Sequence, residues 1–241
     1  LGMGTEKLEE IFNKEFPSFR TVRMDLDTTR NKGSHGKIIE DFKNNKYDIL
    51  IGTQMISKGL NFKNVTLVGV INADTSLNIP DFRSSERTFE LLSQTGGRTG
   101  RYDLDGEVVI QTYNTDNYTL NCVCANDYEM FYNKEMPIRK VLKYPPYYYL
   151  VSLKIISEKY EIAKEEAVKI KNYLSINLND SFIILGPSVA SLVKLKNKYY
   201  FQIIIKYRNE FNLFETLKVI NDMYTTKKVQ VDININPLNM L

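Results

Sequence analysis

The chain has 241 residues, 43% hydrophobic and 25% charged, with 12 glycines and 7 prolines, which excludes disordered and fibrous classes and leaves room for two ordinary domains. A net charge of +3 neither establishes nor excludes a nucleic-acid partner, and no apolar run approaches the roughly 20 residues of a membrane span, so no membrane partner is expected. Cys122 and Cys124 are too close for an ordinary disulfide and, with the lone His35, too few for a four-ligand zinc site. Free thiols and the absence of a charged-then-apolar leader point to a cytoplasmic chain.

Gly2 and Gly4 lead straight into a helical pattern, as expected of a piece of a larger protein. From Thr5, a plausible cap, Leu8, Ile11, Phe12 and Phe16 share one helical face until Pro17 stops it. Thr21 to Met24 reads as a strand ending in the acidic, hydroxyl-rich turn Asp25-Leu26-Asp27-Thr28-Thr29. A helix is expected from Ser34 to Asn44, then an unbroken apolar strand from Asp48 to Thr53. Gln54 to Gly59 makes a short helical turn, and Val65 to Ile71 is another apolar strand, ending in Asn72-Ala73-Asp74. This alternation is that of a parallel α/β sheet, whose ligands gather at the carboxyl ends of the strands, where Asp25, Thr53 and Asp74 fall. A charged helix from Ser84 to Leu92 precedes Ser93-Gln94-Thr95-Gly96-Gly97-Arg98-Thr99-Gly100-Arg101 and a short strand from Glu107 to Thr112.

A helical stretch then runs to about Lys134, and Tyr144-Pro145-Pro146 marks a break, so the domains are expected at 1–143 and 144–241. The second part reads strand (Leu150 to Ile156), helix (Tyr160 to Leu174), two strands (Ala190 to Leu195, Tyr199 to Tyr207), helix (Leu213 to Met223) and strand (Val229 to Ile235). Two helices on one face of a small sheet make an α+β sandwich similar to a ferredoxin-like fold.

Two stretches invite chemistry. Arg98 and Arg101, among glycines 96, 97 and 100, suit a phosphate clamp, because a guanidinium fork donates in pairs and keeps its charge. Taken alone, the same stretch fits a glycine-rich surface turn whose arginines pair with carboxylates. After the strand at Ile49, Thr53 and backbone N–H groups can bond a DNA phosphate near Lys58, while Gly59 and Asn61 face a nucleotide edge. Taken alone, that loop is an ordinary strand-to-helix connection.

Together these stretches carry a resemblance. Gly2-Met3-Gly4-Thr5-Glu6-Lys7, the string from Arg23-Met24-Asp25 to Lys32-Gly33, Gly52-Thr53-Gln54-Met55-Ile56-Ser57-Lys58-Gly59, and Asn72-Ala73-Asp74 with Pro80-Asp81-Phe82-Arg83-Ser84-Ser85-Glu86-Arg87 occur in order. The sequence resembles the PriA (primosomal protein N′) family of bacterial replication-restart helicases, of helicase superfamily two. The resemblance implies the second RecA-like lobe of an ATP-dependent 3′→5′ DNA helicase, followed by the family's small C-terminal domain. ATP and magnesium would be held mostly by the other lobe, since G-x-x-x-x-G-K-[ST] does not occur here. Zinc would belong to an upstream segment and not to this chain, which by itself is expected to be inactive.

By the same resemblance Gln94, Arg98 and Arg101 belong to the last helicase motif, with both arginines reaching the γ-phosphate. Gly59, Asn61 and Gly97 would contact the nucleotide, and Thr53, Gln54 and Lys58 the DNA; Asn61 departs from the usual aspartate. The implied partners are forked and single-stranded DNA, the single-stranded-DNA-binding protein and other primosome proteins. Lys194, Lys196, Lys198 and Lys206 are candidates for the surface of the C-terminal domain. Asp81, Arg83, Glu86 and Arg87 are read as capping and ion-pair scaffolding, His35 as exposed, and Asp25 and Asp27 as structural or DNA-proximal. The runs Tyr147-Tyr148-Tyr149 and Tyr199-Tyr200 suit base stacking and core packing equally. The alternative for the whole chain is a non-catalytic DNA- or replication-protein-binding module.

Overall fold

The computed structural model describes residues 4–31, 33–57, 62–96, 106–195, 197–225 and 229–240. They form two compact units, residues 1–79 with 84–128 and residues 80–83 with 129–241.

In the first unit α1 (Thr5–Glu15) is followed by β1 (Thr21–Met24), α2 (Ser34–Lys43) and β2 (Ile49–Gly52). The two strands pair in parallel from Thr21↔Ile49 to Met24↔Gly52. A second parallel pair joins β3 (Leu67–Val70) to β4 (Glu107–Ile110), with α3 (Asp74–Leu77) and α4 (Ser84–Gly96) in the crossover and α5 (Tyr118–Cys124) after it. The unit is therefore α/β with parallel strands, as expected. Its strands are less buried than their apolar runs suggest: Leu67 is 60% and Val109 51% exposed. Among the described residues the ladders are two separate pairs, so every strand has one unpaired edge. Ala73, Leu92 and Leu120 form the buried centre, with Val70 and Ile110 packed against it.

The helical stretch expected to run to Lys134 is two helices. Asn117 caps α5 by accepting the Thr119 N–H at 2.9 Å, and Asn126, with φ of 51°, turns the chain before α6 (Tyr128–Val141). From Glu129 onward α6 belongs to the second unit, so the division lies ahead of the break at Tyr144. Its buried Glu135 and Arg139 pair at 2.8 Å, the Arg139 guanidinium lies 5.7 Å over the Phe82 ring, and Phe82 stacks on Tyr144. The prolines at 145 and 146 thus follow the end of a helix inside that unit.

The remainder is β5 (Tyr149–Ser157), α7 (Tyr160–Asn177), β6 (Ile183–Leu195), β7 (Lys198–Tyr207), α8 (Leu213–Tyr224) and β8 (Gln230–Ile235). The sheet order is β6-β7-β5-β8 with every neighbour antiparallel, two interleaved split βαβ units and hence a ferredoxin-like arrangement. β6 begins well before Ala190. Gly186, with φ of 95°, interrupts its alternation: a Cβ there would meet the Gln202 carbonyl oxygen at 2.6 Å, and the register to β7 shifts between Leu185 and Ser188.

One sheet face presents Val151, Leu153, Ile155, Ile203 and Ile205 to the helices. Ala163 and Ala167 let α7 come close, and Ile170 and Leu174 continue the same stripe, whereas Ile162 is 40% exposed. The other face carries Ser152, Gln202 and Lys206, also buried. Gln202 Nε2 donates to Ser152 Oγ at 3.0 Å and to the Met240 carbonyl at 2.9 Å, and Lys206 Nζ donates to the Leu142 carbonyl at 2.7 Å. Leu153→Ala, at 0% exposure, should cost about 2–5 kcal/mol, whereas Leu238→Ala, at 75% exposure, should change stability by less than about 0.5 kcal/mol. Urea unfolding reads both, and similar midpoints would contradict this account of the core.

Candidate nucleotide and DNA site

Gly52 ends β2 where a side chain has no room. A Cβ there would lie 2.5 Å from the Met24 carbonyl oxygen and 2.8 Å from the Ile56 Cγ2. Glycine lets the chain pass from β2 into one 3₁₀ turn, Gln54–Ser57, in which the Ile56 N–H donates to the Thr53 carbonyl at 3.1 Å. Thr53 and Gln54 are consequently exposed just past the carboxyl end of β2, the end at which parallel sheets bind ligands. The 3₁₀ turn packs against α4, and Gln94 is exposed in the last turn of that helix. Two elements carrying expected site residues are thus neighbours. Lys58, Gly59, Asn61, Gly97, Arg98 and Arg101 lie outside the described residues.

α4 is held along its length by burial of Thr88, Phe89 and Leu92. The Thr88 hydroxyl is within hydrogen-bond reach of Ser76 Oγ (2.9 Å) and of the Ser84 carbonyl (2.8 Å), which ties α4 to α3. Asp74, at the head of α3, accepts the Thr112 hydroxyl on Oδ1 and the Tyr113 N–H on Oδ2, both at 2.9 Å. That carboxylate staples the ends of β3 and β4.

Asp25 is likewise committed to structure. Oδ2 accepts the Thr5 hydroxyl at 2.6 Å and faces Arg23 Nε at 3.1 Å, while Oδ1 accepts the N–H groups of Asp27 (3.0 Å) and Thr28 (2.9 Å). The Thr5 bond is the largest cause holding the carboxyl below the ordinary aspartate value; burial opposes it, and the Thr28 N–H and Arg23 assist. Thr5 is therefore a ligand of Asp25, and Gly4 takes the cap position of α1. Asp27 is exposed and pairs with Arg30 at 2.8 Å. An acid–base pair does not form here, in keeping with the structural reading of these residues.

In the second unit Lys206 is not a surface lysine. It is 6% exposed, with Nζ bonded to the Leu142 carbonyl and 3.5 Å from the Tyr144 ring centroid. Burial, with Lys143 nearby, lowers its pKa. Lys194 is exposed over the Tyr199 ring at 5.2 Å, Lys198 is half-buried, and Lys196 lies outside the described residues. Tyr199 also packs edge-on against Tyr160 at 5.7 Å. A cationic and aromatic group emerges elsewhere: the Tyr149↔Tyr207 pairing sets Arg208 beside Tyr148, 4.6 Å over its ring, with Lys143 at 5.9 Å. Arg208 is distant from Tyr148 in the sequence and is brought to it by the register of β5 with β7, whereas Lys143 shortly precedes Tyr148 in the chain. His35 is exposed at the start of α2, and among the described residues no cluster of His, Cys, Asp and Glu is placed to hold a metal.

Residues 3–103 match the family described as Helicase conserved C-terminal domain, and residues 140–238 the family described as Primosomal protein N C-terminal domain. The replication restart protein PriA of Bacillus subtilis (strain 168) is 46% identical over 244 residues, covering 100% of this chain and 30% of that protein. Its namesakes of Synechocystis sp. and Chlamydia muridarum are 36% and 38% identical, covering 99% and 98% of this chain and 29% and 32% of those proteins. The chain belongs to the PriA family. It spans about a third of the length of these relatives. The first unit of this PriA-family chain carries the helicase match, and that match includes Thr53, Gln54, Gln94, Arg98 and Arg101. The ferredoxin-like sheet carries the other.

Thr5→Val should move the Asp25 titration midpoint up toward the ordinary value of about 3.9, as read by carboxyl-carbon NMR. With the folded pKa below the unfolded one, the stability due to Asp25 is fully present above the unfolded value and lost as pH falls through the lowered folded value. Thr5→Val should therefore shrink the difference between urea midpoints at neutral and acid pH. An unmoved titration would assign the charge to another cause.

Proposed function

We propose that this chain is the C-terminal part of an ATP-dependent 3′→5′ DNA helicase that restarts replication at stalled or branched forks. Its first unit is the lobe that completes a nucleotide site begun by another lobe. ATP with magnesium, held mostly by that other lobe, supplies the γ-phosphoryl group. Arg98 and Arg101 donate to its oxygens from this side, Gln94 helps to orient the site, and Gly59, Asn61 and Gly97 line the nucleotide. Thr53, Gln54 and Lys58 contact DNA. Asn61 accepts a ribose hydroxyl through its amide oxygen in place of an aspartate.

The observation that carries the reading is the packing of the 3₁₀ turn Gln54–Ser57 against α4. The DNA-contacting segment and the helix leading to the arginines bear on each other, so a change of nucleotide state at one displaces the other. The relatives' names, replication restart protein, support the fork as the place of action. Forked and single-stranded DNA, the single-stranded-DNA-binding protein and other primosome proteins are the proposed partners, and the bacterial cytoplasm the compartment. Zinc would belong to a segment of the whole protein upstream of this chain. A non-catalytic binding role is the second reading, and it suits the second unit: Lys143, Tyr148 and Arg208 offer a phosphate and a base the contacts they need.

DNA-stimulated ATP hydrolysis by the full-length protein tests the first reading. Arg101→Ala should lower turnover by at least about 10²-fold with an unchanged thermal melt, an arginine finger being typically worth about 10³- to 10⁵-fold at a transferring phosphoryl group. Near-normal turnover would leave the binding-module reading.

A further inference from the structure

The end of α6 is closed by two backbone bonds of a Schellman turn: the Tyr144 N–H donates to the Arg139 carbonyl at 2.9 Å, and the Lys143 N–H to the Lys140 carbonyl at 3.3 Å. Lys143 thereby takes the left-handed position, with φ of 56°, which glycine usually fills because a Cβ there crowds a carbonyl oxygen. Of the seven described residues with a side chain and a positive φ, six are asparagines, which tolerate that conformation, and Lys143 is the exception. A cation is favoured near a helix carboxyl end, but Arg139 and Lys140 already stand in the last turn. What a lysine adds at 143 is the reach of its side chain.

That side chain goes to a ring. Lys143 Nζ lies 5.9 Å from the Tyr148 centroid, and the Arg208 guanidinium lies 4.6 Å over the same ring. Both cations are exposed, and among the described residues neither has an ion-pair partner. Lys206, with Nζ 3.5 Å from the Tyr144 centroid, has its pKa lowered by burial and then by Lys143, so three cations share this end of the sheet within the second unit. The carboxylates of Asp81 and Glu210 are close enough to add to burial in raising the pKa of Tyr144 and Tyr207, yet neither pairs with Lys143 or Arg208, and Asp81 is bonded to the Arg83 and Met240 N–H groups. Like charges gathered around one ring repel, and an anion between them relieves the repulsion. The ring narrows the choice of anion. A carboxylate needs only the cations, and a duplex keeps its bases stacked on each other, whereas an unpaired nucleotide brings a phosphate for the cations and a planar base for the ring.

We propose that Lys143, Tyr148 and Arg208 form a subsite for one unpaired nucleotide of single-stranded DNA, its phosphate held by the ammonium and the guanidinium and its base stacked on the Tyr148–Arg208 pair. This rests on the binding reading of the second unit given above and narrows it to single strands, and to this end of the sheet instead of the β6–β7 turn that carries Lys194 and Lys198.

The test measures binding of labelled oligodeoxythymidylate, of a duplex of equal length and of a glutamate-rich peptide to the full-length protein, for wild type, Lys143→Gly, Arg208→Ala, Tyr148→Leu and, on the other surface, Lys194→Ala. Lys143→Gly removes the strained Cβ, so its melting temperature should equal or exceed that of wild type, while its Kd for the oligonucleotide should rise about three- to tenfold and its log–log salt slope flatten by about 0.7. Arg208→Ala should weaken binding and flatten the slope likewise. Tyr148→Leu should weaken the oligonucleotide at least about fivefold with the slope unchanged, since stacking releases no counterion. Duplex affinity should stay within about twofold throughout. An equal loss of duplex affinity would make the patch a general phosphate contact, and loss of the peptide in place of the oligonucleotide would make it a protein-docking surface; either overturns the proposal. Unchanged oligonucleotide binding in Lys143→Gly and Arg208→Ala overturns it too: if Lys194→Ala is then weakened, the binding reading survives on the β6–β7 turn, and if Lys194→Ala is also unchanged, that reading falls as well. Should Tyr148→Leu not fold, Lys143→Gly and Arg208→Ala decide by the same comparison of single strand, duplex and peptide.

Discussion

Buried or half-buried carboxylates committed to N–H and O–H donors at the ends of elements fix the loops of this chain. A buried carboxylate without donors is costly, so wherever one persists the surrounding loop has to supply them and is fixed in doing so. Asp25 fixes the turn after β1 through the N–H groups of Asp27 and Thr28 and draws in Thr5 from α1. Asp74 binds the residues that follow β4 to the residues that follow β3. Asp81 orders the approach to α4 and receives the tail at Met240. The loops at the carboxyl ends of the parallel strands are consequently built structures, and the polar residues left exposed among them, Thr53 and Gln54, stand on a frame that others hold.

Periodicity in the sequence carried the helices and the parallel alternation, because α1, α2 and α7 each need one apolar stripe and the β-strands need apolar runs. It failed where one residue changed the local rule. Gly186 hid the first half of β6, since an alternation interrupted by a glycine and a proline does not read as a strand. Asn126 divided a stretch that looked like one helix, because an asparagine tolerates the left-handed conformation at little cost. Lys206 looked like a surface charge. In β7 it alternates with Ile205 onto the face opposite the helices, and what covers that face comes from Leu142 and Met240, too far away in sequence to be foreseen.

The site divides in the same way. Thr53, Gln54 and Gln94 were legible as members of motifs, by their order and spacing, and Gly52 was not singled out, although the turn depends on it. Its need becomes visible once the Met24 carbonyl is seen 2.5 Å from where its Cβ would be. The placing of Arg208 over Tyr148 had no signal in the sequence, because it depends on the nine-residue register of β5 with β7. Resemblance supplied chemical roles, and register and close approach supplied placement.

On the function proposed above, the charge brought to a γ-phosphate comes from side chains and not from a helix amino end. Phosphate sites built on a helix usually use that end, where free N–H groups and the positive end of the dipole favour an anion. Arg98 and Arg101 come after α4 in the sequence, so the amino end of α4 is not what the motif would offer; a guanidinium would instead bring the charge with several donors in one plane. A lobe of this kind would complete a nucleotide site without forming one alone.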